Sequence, residues 1–211
     1  MSATPVTTER PSPPRPPAHT GLGHLRATAI FLVLAILVSG VAYPVIVTGI
    51  AEVINPKGAA GSVVRDANGT VIGSSLIAQN TSAPYLFWER PSLTDYNTTL
   101  GADTPPGPSD PALGALLNET IAYMHQSWNF SANHTLPYWL VAPSGSSVDP
   151  DLVPEAVLIQ IPRVSAATNL SIARLTGFVN AHITNPLIPF IGVPYVNVLE
   201  LDIALLPLIG K

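Results

Sequence analysis

Residues 27–50 read ATAIFLVLAILVSGVAYPVIVTGI, twenty-four positions without one charged side chain. As a helix rising about 1.5 Å per residue, the stretch reaches ~36 Å, enough to cross a hydrocarbon core of about 30 Å with some tilt. Whether this run is a retained anchor or a cleaved signal peptide decides how the rest of the chain is read. A signal would use 27–38 as its apolar region, with the small residues Ser39 and Gly40 near the cleavage site. The apolar run continues for ten residues past Gly40, which favours a transmembrane helix over residues 26–50.

On the N-terminal side, residues 1–25 are rich in Pro, Ser and Thr and offer almost nothing to bury, the composition of a disordered tail. Arg10, Arg15 and Arg26 precede the span against a single acid, Glu9, whereas Glu52 and Lys57 behind it cancel. The positive-inside bias therefore sets the tail in the cytoplasm and residues 51–211 outside, as a single-pass protein of the cell membrane. Within the span, Ser39 and Gly40 permit close approach of another helix, and Pro44 frees a carbonyl that such a neighbour satisfies better than lipid does.

The outer part supports that topology. Asn-x-Ser/Thr patterns begin at Asn68, Asn80, Asn97, Asn118, Asn129, Asn133 and Asn169, and all seven lie beyond the span. They are candidate glycosylation sites; a Ser/Thr/Asn-rich surface also generates some by composition. Residues 51–211 hold six basic and twelve acidic side chains, so solubility rests on neutral polar groups, a surface suited to an acidic exterior. The chain has no cysteine, which excludes a disulfide framework and thiolate metal sites. A net charge of -4 offers no basic footprint for nucleic acid.

The elements predict an α+β fold, a single mixed α/β domain beyond the anchor. GSVVRDANGTVIGSSLI (61–77) reads as a hairpin turning at Asn68-Gly69. Asp110 is placed to cap a helix with Pro111 in its first turn, and Leu113, Leu116, Leu117, Ile121, Met124 and Trp128 share one face of it. Pro162 is expected to break the apolar run 154–162, and Ser171 to cap the next helix. In the C-terminal VNVLELDIALL, Leu199, Leu201, Ile203 and Leu205 alternate with polar residues, which reads as a half-buried strand with a helix as the alternative.

Catalytic signatures are missing from the sequence. It contains no phosphate loop, no G-x-S-x-G and no H-E-x-x-H, and His125, His134 and His182 are scattered without metal-ligand spacing. In the aromatic stretch 73–92, Leu76, Ile77 and Phe87 are expected to pack inward. Gln79 and Asn80 would bridge backbone groups, and Arg90 would cap a carbonyl, meet a partner's acid or pair with Glu89.

Several segments in fixed order resemble the C subunit of the Kdp-type potassium-transporting ATPase. They are SGVAYPVIVT (39–48), GSSLIAQN (73–80), Tyr85–Ser92 with Arg90-Pro91-Ser92, Tyr96-Asn97, the run 144–171 containing Gln160-Ile161-Pro162-Arg163-Val164, and PYVNVLELDIAL (194–205). Departures from the family pattern are Ala78, Thr81 and Glu89. The resemblance implies a non-catalytic accessory subunit that assembles or stabilises a P-type ATPase catalytic subunit and a potassium-channel-like subunit. It marks Ser39, Gly40, Tyr43, Pro44, Gln79, Asn80, Arg90, Pro91, Ser92, Gln160 and Arg163 as candidate partner contacts. It also implies a catalytic-chaperone role in which Gln79 contacts ATP. No cofactor is expected for the chain itself, only ATP through the complex, and an external Gln79 conflicts with a cytoplasmic nucleotide. The reading from composition alone is a stand-alone glycosylated surface protein that binds a ligand or partner.

Overall fold

The computed structural model describes residues 21–66, 69–100, 105–128, 135–188 and 190–210. They fall into two units that meet in the chain between Ala59 and Ala60.

The first unit is a continuous helical stretch from Gly21 to Ile54 with a mean hydropathy of 2.7 over its most apolar window. It consists of α1 (Gly21–Ile36), a π-helical turn (Leu37–Ala42) and α2 (Tyr43–Ile54), followed by the single turn α3 (Pro56–Ala59). The π turn has a local cause. Pro44 lacks an N–H, and in a regular α-helix its ring meets the carbonyl four residues back. Widening the preceding turn removes that clash, and the Tyr43 N–H reaches the Val38 carbonyl. The stretch is long and apolar enough to cross a membrane.

The second unit mixes helices with two short antiparallel ribbons, an α+β arrangement. Strands β1 (Val63–Arg65) and β2 (Val71–Ser74) form the expected hairpin, with Val63 opposite Ser74. Asn68 lies outside the described residues, but Gly69 has φ +81° and the Asp66 side chain accepts the Thr70 N–H at 2.8 Å, so Gly and Asp shape the turn as their chemistry requires. Helix α4 (Pro111–Trp128) starts where Asp110 caps it, accepting the Ala112 N–H at 2.9 Å. Its Met124 and Trp128 enter the core, with Leu117 and Ile121 packed against them.

The single turn α5 (Tyr138–Val141) leads to strand β3 (Asp151–Leu152), then to α6 (Pro154–Leu158), α7 (Ile161–Thr168) and α8 (Ile172–Ala181). Pro162 sits in the first turn of α7, where a missing N–H costs nothing. Asn169 ends α7 in the left-handed region, and Ser171 caps α8 by accepting the Arg174 N–H at 3.3 Å. The core gathers Phe87, Leu140, Leu152, Val157, Val164, Leu175, Val179, Val196, Leu201 and Leu205.

Two expectations need correction. The C-terminal segment is a helix, α9 (Val198–Leu205), entered from the two-residue strand β4 (Val196–Asn197) that pairs with β3. Asn197 decides this by accepting the Glu200 N–H at 3.0 Å, the bond of a helix N-cap. Leu76 is exposed: it stands in the turn after β2, where its N–H is held by Ser74 Oγ and its side chain projects away from the core.

Candidate functional site

The segment 79–96 crosses the second unit as irregular chain, and its backbone groups are satisfied largely by side chains from distant positions. Three of these form a scaffold. Gln160, at the entry to α7 and fully buried, accepts the Trp88 N–H at 2.7 Å and donates to the Trp88 carbonyl at 2.9 Å. Its amide thus pairs with Trp88 as a neighbouring strand would. Asp202, on α9, accepts the Phe87 N–H at 2.8 Å. Arg163 donates to the Pro84 carbonyl at 2.8 Å and to Gln160 Oε1 at 2.9 Å. Its guanidinium lies 4.7 Å from the Trp88 ring centre and 4.8 Å from that of Trp128, between two aromatic faces.

Arg90 is also turned inward. It donates to the carbonyls of Ala142 at 3.0 Å and Pro143 at 2.8 Å, lies 3.8 Å from Asp149 and stands over Trp139. It therefore caps carbonyls as expected and does not pair with Glu89. Glu89, buried beside it, receives the Gln79 N–H. Ser92 Oγ accepts the Tyr96 N–H at 2.9 Å, and the Tyr96 hydroxyl donates to the Arg90 carbonyl at 2.7 Å, which folds residues 90–96 into a compact loop.

Burial sets the electrostatics. Glu89 is pushed up to about 9, chiefly by desolvation, against the Gln79 N–H and with Asp202, Asp149 and Asp151 adding repulsion. Asp202 is raised to about 8 by desolvation, offset in part by the Phe87 N–H and by Arg163. Desolvation lowers Arg163 to about 10. Both acids are thus neutral near pH 7, and a protonated carboxyl costs far less to bury than a carboxylate.

The surface over this scaffold is a cleft of about 410 Å³, lined by Asn80, Trp88, Glu89, Pro91, Ser92 and Tyr96 from the segment and by Glu119 and Tyr123 from α4, among others. A second hollow, on the hairpin side, is lined by Gly73, Gln79, Asn80 and Asp95. Neither is lined by Lys or Arg among the described residues. The Gln79 side chain lies against Gly73, where an added Cβ would overlap its Nε2. Asn80 is exposed and donates to Asp95 at 3.2 Å.

The structure therefore brings Gln79, Asn80, Arg90, Pro91, Ser92, Gln160 and Arg163 into one region, while Ser39, Gly40, Tyr43 and Pro44 lie on the π turn and the start of α2, all exposed. Of the glycosylation candidates, Asn80, Asn97, Asn118 and Asn169 are exposed; Asn68, Asn129 and Asn133 lie outside the described residues. Asp202 and Trp88 were missed by the sequence reading, and Trp128 was expected only as a core position of α4. An acid between apolar residues in LELDIAL was the available signal.

Comparison with known proteins finds similarity over most of the chain. Residues 25–206 match the family described as K+-transporting ATPase, c chain. The chain is 42% identical over 182 residues to a potassium-transporting ATPase KdpC subunit of Pseudomonas putida, covering 86% of this chain and 95% of that one. Over 203 residues it is 38% identical to the same-named subunit of Ralstonia nicotianae, covering 95% and 98%. The subunit from Geobacter sulfurreducens is 37% identical over 184 residues, covering 86% and 96%.

Proposed function

Because the chain belongs to the KdpC family, non-catalytic subunits of the K+-transporting ATPase, we propose that it assembles and stabilises the complex from the outer side of the membrane. In this reading the helix Gly21–Ile54 is the single span, with residues ahead of it in the cytoplasm and the unit from Ala60 onward outside. The P-type ATPase catalytic subunit and the potassium-channel-like subunit are its partners. The observation that carries the reading is the long apolar helix, which has no buried residue and is interrupted at Ser39-Gly40 by a π turn. Such a helix fits packing against membrane partners as well as anchoring.

Within the outer unit, Gln160, Arg163 and Arg90 brace the segment 79–96 from inside. Partner contact then falls to the cleft residues Asn80, Pro91 and Ser92. For Gln79, the surroundings favour bracing over the nucleotide contact that a catalytic chaperone would make: a triphosphate there would face Asp95 and Glu119, and no Lys or Arg lines either hollow among the described residues. The exposed Asn80, Asn97, Asn118 and Asn169 support glycosylation of the outer surface.

Co-purification from native membranes in mild detergent tests the assembly role. Recovery of both large subunits with potassium-stimulated ATP hydrolysis supports it. Recovery of the chain alone overturns it and favours the stand-alone surface protein. Since the chain has no native cysteine, single cysteines introduced at Ala173 and at Ser2 read the orientation: an impermeant maleimide applied to intact cells should label only the first. In the same complex, Gln79→Ala should leave the apparent nucleotide affinity unchanged within twofold, and a tenfold loss would restore the chaperone reading. Deglycosylation that shifts the chain's mass shows that sequons are used.

A further inference from the structure

Residues 183–199 contain no charged side chain, and the loop between α8 and β4 turns its apolar residues outward. Leu187 is 98% exposed, Phe190 85%, Ile191 61% and Val193 59%. The loop is closed at its base, where Thr184 and Tyr195 exchange backbone hydrogen bonds of 2.8 and 3.0 Å. Near the tip, the Ile191 N–H donates to the Ile188 carbonyl at 2.9 Å. At the neck, Gly192 holds φ +104°, and a Cβ there would approach Pro186 Cβ to 3.2 Å. The fold therefore holds these side chains out in water, where a cluster of this kind ordinarily marks a contact surface.

We propose that Leu187, Ile188, Phe190, Ile191 and Val193 form an interfacial anchor that dips into the headgroup–acyl boundary of the bilayer, a second membrane attachment for the outer unit. Three observations favour lipid over a protein partner. The tip carries no charge, so no ionised group has to leave water when its side chains enter the acyl boundary. Pro186 and Pro194 remove amide donors from the loop, which lowers the cost of leaving water. The chain already has a helix long and apolar enough to span the bilayer, and only residues 55–62 separate α2 from β1, so the unit that carries the loop hangs on a short tether from any membrane the helix enters. The anchor stands on these features and does not depend on the accessory role.

The absence of native cysteine makes the test direct. Full-length chain with Phe190→Cys carrying a bimane label is reconstituted into phosphatidylcholine/phosphatidylglycerol vesicles and compared with the same label at exposed Ala166 on α7. Lipids spin-labelled near the headgroup should quench the label at 190 at least twofold more than the label at 166. A label at Leu187→Cys should lose at least half of that quenching when Phe190→Asp is added. Equal quenching at 190 and 166, or quenching at 187 indifferent to Phe190→Asp, overturns the anchor. The same measurement on the purified complex separates the other occupant: shielding from aqueous iodide without lipid quenching would assign the tip to a protein neighbour and overturn the proposal.

Discussion

Gln160 shows how much of the second unit rests on single side chains. Its amide supplies an acceptor to the N–H and a donor to the carbonyl of one half-buried residue, Trp88, and its second amide hydrogen reaches the Ala156 carbonyl at 3.0 Å. Gln160→Leu keeps most of the volume but orphans the Trp88 N–H and carbonyl together. Leaving two buried backbone groups unpaired costs roughly 2–5 kcal/mol. Thermal unfolding of the full chain in detergent, followed by near-ultraviolet circular dichroism, should show a Tm lowered by more than about 6 °C; a drop below about 2 °C would mean that water replaces the amide. Arg90 is argued the same way. Arg90→Lys places a point charge where a planar fork served two carbonyls, so both Arg90→Lys and Arg90→Ala should destabilise the fold before they weaken assembly. An Arg90→Ala chain with unchanged Tm that no longer co-purifies with its partners would make this residue a contact instead.

At the scale of elements, the devices that join pieces are caps and breaks. Asn197 caps α9 and also donates to the Ser75 carbonyl at 2.8 Å and to Asp151 at 3.0 Å, tying the hairpin's exit and β3 to the last helix. Asn197→Ala should therefore exceed the ~1 kcal/mol of an ordinary cap and reach about 2–3 kcal/mol, measurable as a shift of the urea midpoint. In the span, Pro44→Ala removes the reason for the π turn. Closing that turn to α geometry swings the face carrying Thr48 and Gly49 by about 100°, so membrane insertion should persist while co-purification of the large subunits falls. Unchanged recovery would show that this face meets no partner. Such devices also set what could be read in advance. Helix α4 was legible because Asp110, Pro111 and the spacing of Leu117, Ile121, Met124 and Trp128 all agree. The C-terminal element was not, because over eight residues Leu201 and Leu205 satisfy a period of two as well as the helical spacing that Val198 completes. The cap at Asn197 broke the tie. The site was legible as a set of residues but not as a scaffold, since the bonds that brace the segment from Arg90, Gln160, Arg163 and Asp202 join positions 52 to 115 residues apart.

Across the whole second unit, the buried acids make stability depend on pH in an uncommon direction. Unfolded, Glu89 and Asp202 release their protons near the ordinary 4.5 and 3.8; folded, they hold them to about 9 and about 8. Between these limits the native state binds more protons than the unfolded chain, so stability is fully present below about pH 4 as far as these two groups are concerned. It is lost as pH rises through 8 to 9. Each tenfold difference in proton affinity retained in solution is worth about 1.4 kcal/mol, or roughly 3–6 °C of Tm for a unit of this size. Arg163, lowered only to about 10, stays charged through most of that window and softens the loss by its attraction to ionising Asp202. The neutral-to-acidic surface adds little opposition, because twelve acids and six bases are spread over residues 51–211. Unfolding scans of the full chain should thus give a higher Tm at pH 5 than at pH 8.5. The gap should shrink in Glu89→Gln, which fixes the neutral form at one site. The acidic exterior suggested by the charge-poor surface would suit such a protein. A Tm higher at pH 8.5 than at pH 5 would show that both carboxyls ionise in place, and that the segment 79–96 is held by carboxylates after all.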